Sequence, residues 1–120
     1  MFGNCSGLTS LNLNNFNTSN VTDMRQMFQL CEGITSLDLT NFNTSNVTNM
    51  FWMFYGCNSL ESLNLSGWDM TNVTNTTNMF KNCSKLKTIR MVGCNQTTID
   101  KVKEALTSAG ILNNVTIVTE

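Results

Sequence analysis

The chain has 120 residues, of which 41% are hydrophobic and only 12% charged, about half the usual charged share, and its net charge is −1. That fits a single domain, and the lack of a basic arm or stripe argues against nucleic-acid binding. There is no His, which excludes His-based acid–base chemistry and His metal ligation, and there is no Pro.

The longest apolar run, MFWMFY at 50–55, is too short to cross a bilayer. The first residues lack a charged n-region followed by an apolar h-region and a cleavage site, so no signal peptide is expected in them.

From the first residue the chain repeats. Met-Phe pairs begin at Met1, Met27, Met53 and Met79, each 26 residues after the last. Cys5, Cys31, Cys57 and Cys83 keep the same phase, as do Leu8, Ile34, Leu60 and Leu86. So do Leu11, Leu37, Leu63 and Ile89, then Leu13, Leu39, Leu65 and Met91. Phe16, Phe42, Trp68 and Cys94 form a further column, and Val21, Val47 and Val73 another. Three full units, 1–26, 27–52 and 53–78, precede a partial fourth from Met79 to about Gln96.

Within a unit, Leu11 and Leu13 alternate with polar residues, the period of a strand with one buried face. One short strand cannot bury its apolar set alone. Stacked units pair their strands in parallel, about 4.8 Å apart, and join the columns into one core. The Asn, Ser and Thr that follow supply turn chemistry, and Asn20, Asn46 and Asn72 predict a ladder that bonds loop backbone. Met24, Met27, Phe28 and Cys31 are spaced for one face of a short helical or 3₁₀ turn.

The register stops after Cys94. Thr97-Thr98-Ile99-Asp100 reads as a helix start with Thr as the cap. Ile99, Val102, Leu106 and Ala109 share the inner face, Asp100, Lys101, Lys103 and Glu104 the outer, and Gly110 ends the helix. Val115-Thr116-Ile117-Val118 is a final strand. The domains are a solenoid at 1–96 and a C-terminal cap at 97–120. Nothing comparable caps the first coil. A piece of a longer protein, or edge-to-edge self-association through the N-terminal coil, is therefore expected.

The unit MFxxCxxLxxLxLxxFNTSNVTxM resembles the BspA-type leucine-rich repeats of bacterial surface proteins, over residues 1–96. Unit three departs at Trp68-Asp69-Met70-Thr71 and at Thr76, and unit four keeps only its first half. The resemblance implies an α/β repeat fold, a short right-handed leucine-rich-repeat solenoid with one parallel strand per coil. It implies a non-enzymatic binding or adhesion module of a cell-surface or secreted protein. Its partner would be a protein or other macromolecule, host molecules among them. The alternatives are a structural spacer or stalk, or a virion surface protein, with no ligand of its own.

The cysteines stack by whole coils, a geometry poor for bridging, so they read as buried free thiols. No C-x-x-C spacing suggests zinc, and no metal or cofactor is expected. No base stands beside Ser or Cys in a known motif, and Asp38 and Glu61 read as a solvated face, so no enzyme is expected.

Core columns must match between units, so binding should sit where equivalent positions differ. On the strand's polar face these are Ser10, Ser36, Ser62 and Thr88, beside Asn12, Asp38, Asn64 and Arg90. The sharper departure is Phe51, Trp52 and Tyr55, where other units carry Arg25 or Thr77, Gln26 or Asn78, and Gly3, Gln29 or Lys81. Aromatic anchors of this kind are typical of interfaces; packing of Trp52 between coils is the structural alternative. The candidate binding residues are Phe51, Trp52, Tyr55, Asp38, Asn64 and Arg90. Lys81, Lys85, Lys87 and Arg90 make a basic cluster expected to be a solvated face.

Overall fold

The computed structural model describes Gly3 and residues 7–120; Met1, Phe2 and Cys5, three of the expected column residues, lie outside the described residues. Three short strands recur at the repeat interval: β1 (Ser36–Asp38), β2 (Ser62–Asn64) and β3 (Thr88–Arg90). Helix α1 (Gln96–Ser108) follows, then a 3₁₀ turn (Leu112–Asn114) and β4 (Thr116–Val118). The result is a small α/β domain with an open sheet of order β1-β2-β3-β4, every pair parallel.

The register is that of the sequence columns. Leu37 pairs with Leu63, Leu63 with Ile89, and Ile89 with Ile117. All but the last are buried. Behind them Phe28, Phe54 and Phe80 stack with near-parallel rings at 5.6 and 5.5 Å.

Unit one departs from one strand per coil. Leu11 lies in no strand and is half-buried, and Leu8 and Phe16 are exposed. Residues of later units gain apolar neighbours on two sides, which this coil lacks within the described residues.

Residues 24–31 are neither helical nor 3₁₀ but a run of turns. Gln26 and Leu30 adopt positive φ, 59° and 58°, and so do Trp52 and Gly56 in the next coil. Alternate amides therefore leave the coil: Met24, Gln26, Phe28 and Leu30 donate to the carbonyls of Asn49, Phe51, Met53 and Tyr55 at 2.7–2.9 Å. A helix would have kept those bonds within the segment. At Gly56, φ +73°, a Cβ would meet Leu30 Cδ2 at 2.5 Å, so a side chain here would push the Leu30 side chain aside; Leu30 and Asn82 hold the same positive φ in the neighbouring coils.

Side chains tie the polar turns together. Asn46 donates to the Ser19 carbonyl and Asn72 to that of Ser45, both at 2.8 Å. This is the expected ladder, on exposed rather than interior side chains. Trp68 Nε1 donates to the Leu39 carbonyl at 3.0 Å, and Cys94, one coil on, donates its thiol to that of Leu65.

The N-cap of helix α1 lies two residues before the expected Thr97. Asn95 is the N-cap, its side chain accepting the Thr98 amide at 2.8 Å. Thr98 is thereby inside the helix and buried, its hydroxyl accepting the Met70 amide at 2.8 Å. Lys101, expected to face outward, turns back and donates to the carbonyls of Met70, Thr71 and Val73. Gly110 follows the helix with φ +77°, as expected of a stop. No helix of the described residues is long and apolar enough to cross a membrane.

Candidate binding surfaces

The six candidate residues fall into two separate groups. Asp38, Asn64 and Arg90 occupy one register row of β1, β2 and β3, which the parallel pairing brings side by side. With Ser36, Ser62 and Thr88 they line a shallow groove of about 240 Å³ on the solvent face of the sheet.

Two of the three also hold the local backbone. Asp38 Oδ1 accepts the Thr40 amide at 3.0 Å and its hydroxyl at 2.6 Å, which keeps the carboxyl below the usual carboxylate range. Asn64 Oδ1 accepts the Ser66 amide, as Asn12 accepts that of Asn14. This Asx turn ends β1 and β2. Arg90 cannot accept, and there Ser66 Oγ takes the Val92 amide instead, at 3.0 Å. The Arg90 guanidinium is exposed, with no hydrogen bond or ion pair among the described residues.

Phe51, Trp52 and Tyr55 form the second group. Their rings stack in one pile with Trp52 in the middle, 4.9 Å from Phe51 and 4.5 Å from Tyr55, tilted by 14° and 13°. All three are half-buried. Backbone bonds of Gln26 to Phe51 and of Trp52 to Thr77 place polar residues of both neighbouring coils alongside.

Trp52 is thus neither core nor free. It sits at φ 59°, a region that bulky residues rarely adopt, and its indole N–H is shut off from solvent with no hydrogen-bond acceptor among the described residues. Trp68 is the contrast: fully buried, with its N–H bonded. Sequence reading found the three aromatics by their departure from the columns and missed the backbone strain. The signal for it was Gly56, Asn78 and Asn82, residue types that tolerate positive φ.

The thiols of Cys57 and Cys83 are buried and form no disulfide among the described residues, and Cys31 is buried in the same column. Cys57 and Cys83 donate to the carbonyls of Phe28 and Phe54, each at 3.0 Å. Burial pushes the Cys83 thiol up to about 12 and that of Cys57 further. Such groups are poor nucleophiles and poor ligands. Among the described residues no group of His, Cys, Asp or Glu is placed to hold a metal ion. A larger hollow, about 550 Å³, lies against Asp100, Lys103, Glu104 and Thr107 on the outer face of α1 and contains none of the candidate residues.

No curated protein and no solved structure matches the chain. A family model does match it, over residues 1–116: the chain belongs to the family described as Mycoplasma protein of unknown function, DUF285.

Proposed function

We propose that this chain is a non-enzymatic binding or adhesion module of a bacterial cell-surface or secreted protein, built as a leucine-rich-repeat solenoid of the BspA type. The 26-residue spacing of parallel, in-register strands supports the solenoid reading. Family membership is consistent with the surface reading.

Trp52 carries the binding reading. A large ring in a strained backbone conformation, with an unsatisfied N–H, gains only its stacking on Phe51 and Tyr55 in the isolated fold, where Gln26 and Asn78 fill the same position in neighbouring coils. Strain of this sort persists where a site uses it, and half-exposed aromatics with flanking polar residues are the usual anchors of protein interfaces.

The test reverts the aromatic pile to the residues of the neighbouring coil, Phe51→Arg, Trp52→Gln and Tyr55→Gln. Because the coil of Arg25, Gln26 and Gln29 already folds with these residues, the variant should keep its circular dichroism. Retention of purified serum and extracellular-matrix proteins on the immobilised chain should fall by at least about tenfold. A parent chain that retains none of them supports a spacer or stalk instead, and a variant that binds as well as the parent removes the aromatic pile from the binding reading.

A further inference from the structure

Charge is segregated along the stack of units. Residues 27–78 hold four acids, Glu32, Asp38, Glu61 and Asp69, and no base, whereas residues 79–96 hold four bases, Lys81, Lys85, Lys87 and Arg90, and no acid. The groove of the sheet lies across this boundary. Its row reads acidic at Asp38, neutral at Asn64 and basic at Arg90, in strict register. Glu61 and Lys87, joined by a backbone bond at 2.9 Å, repeat the same polarity just before β2 and β3, outside the groove lining. Beside them Ser36, Ser62, Thr88 and Thr116 form a row of hydroxyls in the same register.

We propose that this groove binds an extended polypeptide segment laid across the strands, with a basic side chain over Asp38 and an acidic one over Arg90. The proposal deepens the binding-module reading and rests on it. Two strand spacings separate the charged positions, about 10 Å, which an extended chain covers in about three residues.

The need for both signs of charge on one ligand selects a polypeptide over an acidic glycan, which would meet Arg90 favourably and Asp38 unfavourably. The hydroxyl row can donate to and accept from peptide backbone groups. The groove also disfavours a second copy. The row is self-complementary about a two-fold axis at Asn64, but two hollow faces set against each other would leave a void between them. Both charges are free to act: Arg90 is unpaired among the described residues, and the bonds from Thr40 engage Asp38 Oδ1 without neutralising its charge.

The experiment is an NMR titration of the ¹⁵N-labelled chain with short capped Ser/Gly peptides. One carries Lys and Glu three residues apart; the others carry Lys and Lys, Glu and Glu, or no charge. The Lys–Glu peptide should move the amides of Ser36, Leu37, Asp38, Leu63, Asn64 and Arg90. At low salt it should bind up to about fivefold more tightly than the others, the range open to exposed charge pairs. Arg90→Glu should switch the preference to the Lys–Lys peptide, and Asp38→Lys to the Glu–Glu peptide.

Equal affinity for all four peptides, or an unchanged preference in Arg90→Glu, overturns the proposal. Amide shifts around Asn64 on simple dilution identify a second copy instead. A sulfated oligosaccharide that binds more tightly to Asp38→Lys, while the Lys–Glu peptide does not bind, identifies an acidic glycan. Equal affinity for all four peptides in a chain that still retains its protein ligand through the aromatic pile separates failure here from failure of the aromatic site.

Discussion

Lys101 Nζ lies 2.7 Å from the carbonyl oxygen of Val73 and holds the helix to the last full turn of the repeat. Its second bond, to Thr71, falls where the ladder would have its next Asn: Ser19 and Ser45, the equivalents of Thr71, accept from Asn46 and Asn72. The ammonium thus takes the role of the coil that the chain does not build, and Met70 supplies a third carbonyl at 2.9 Å. Replacing Lys101 by Met keeps the stem and removes the donors. Hydrogen bonds to charged groups are worth about 1.5–3 kcal/mol each when partly buried, and their loss is not additive. A destabilisation of about 2–3 kcal/mol is expected in chemical denaturation, with α1 amides losing exchange protection before those of β2.

The column of β1, β2 and β3 should be the most sensitive part of the core. Leu63 is 2% exposed and lies between Leu37 and Ile89. Leu63→Ala should cost about 2–5 kcal/mol, the usual range for a buried Leu. Leu11→Ala, in the same sequence phase but half-buried, should cost clearly less. Urea unfolding of both variants separates a single uniform column from one that thins out in unit one.

The same gradient predicts exchange behaviour. Amides of residues 9–13 should exchange faster than those of 35–39 and 61–65, because the first segment lies outside the sheet. Equal protection would mean that the first coil is held as firmly as the second.

The two tryptophans should respond differently. Trp68→Phe leaves the Leu39 carbonyl without its donor inside the core and should cost about 1–3 kcal/mol. Trp52→Asn loses the ring pile but relieves the strained φ, and Asn78 shows that Asn suits this position. The two effects offset, so the change should stay within about 1 kcal/mol. Thermal unfolding of each variant checks this.

The thiols make stability fall in alkali. Burial raises Cys57 and Cys83 in the folded chain, whereas the unfolded thiols ionise near their ordinary value of 9.0. Above that pH the folded state binds more protons than the unfolded one, so unfolding becomes easier as pH rises. The stabilising contribution is complete below about pH 9 and drains away up to about pH 12 for Cys83. At neutral pH a thiol reagent should label Cys94, which is half-exposed, before Cys31, Cys57 or Cys83. Denaturant midpoints at pH 7 and pH 10, and mass analysis of partly labelled chain, measure both effects.

Period and residue type alone determined much of this protein. Leu37, Leu63 and Ile89 had to share a column because an exact 26-residue interval leaves one register that buries them all, and the parallel sheet follows from that constraint. Gly110 and the strand near Ile117 were legible from local chemistry, as was the likeness of the thiols to small core residues. The odd aromatics Phe51, Trp52 and Tyr55 were visible as a break in the pattern. Only the tertiary structure decided what long-range contacts impose. The bonds of 24–31 run between coils, so the Met, Phe and Cys spacing that looked helical belongs to a stack of turns. Lys101 and Thr98 read as ordinary helix residues, since the backbone groups they satisfy lie 28 to 31 residues away. Asp38, Asn64 and Arg90 carry no local sign of acting together; pairing of strands 26 residues apart turns three isolated polar residues into one row of changing charge.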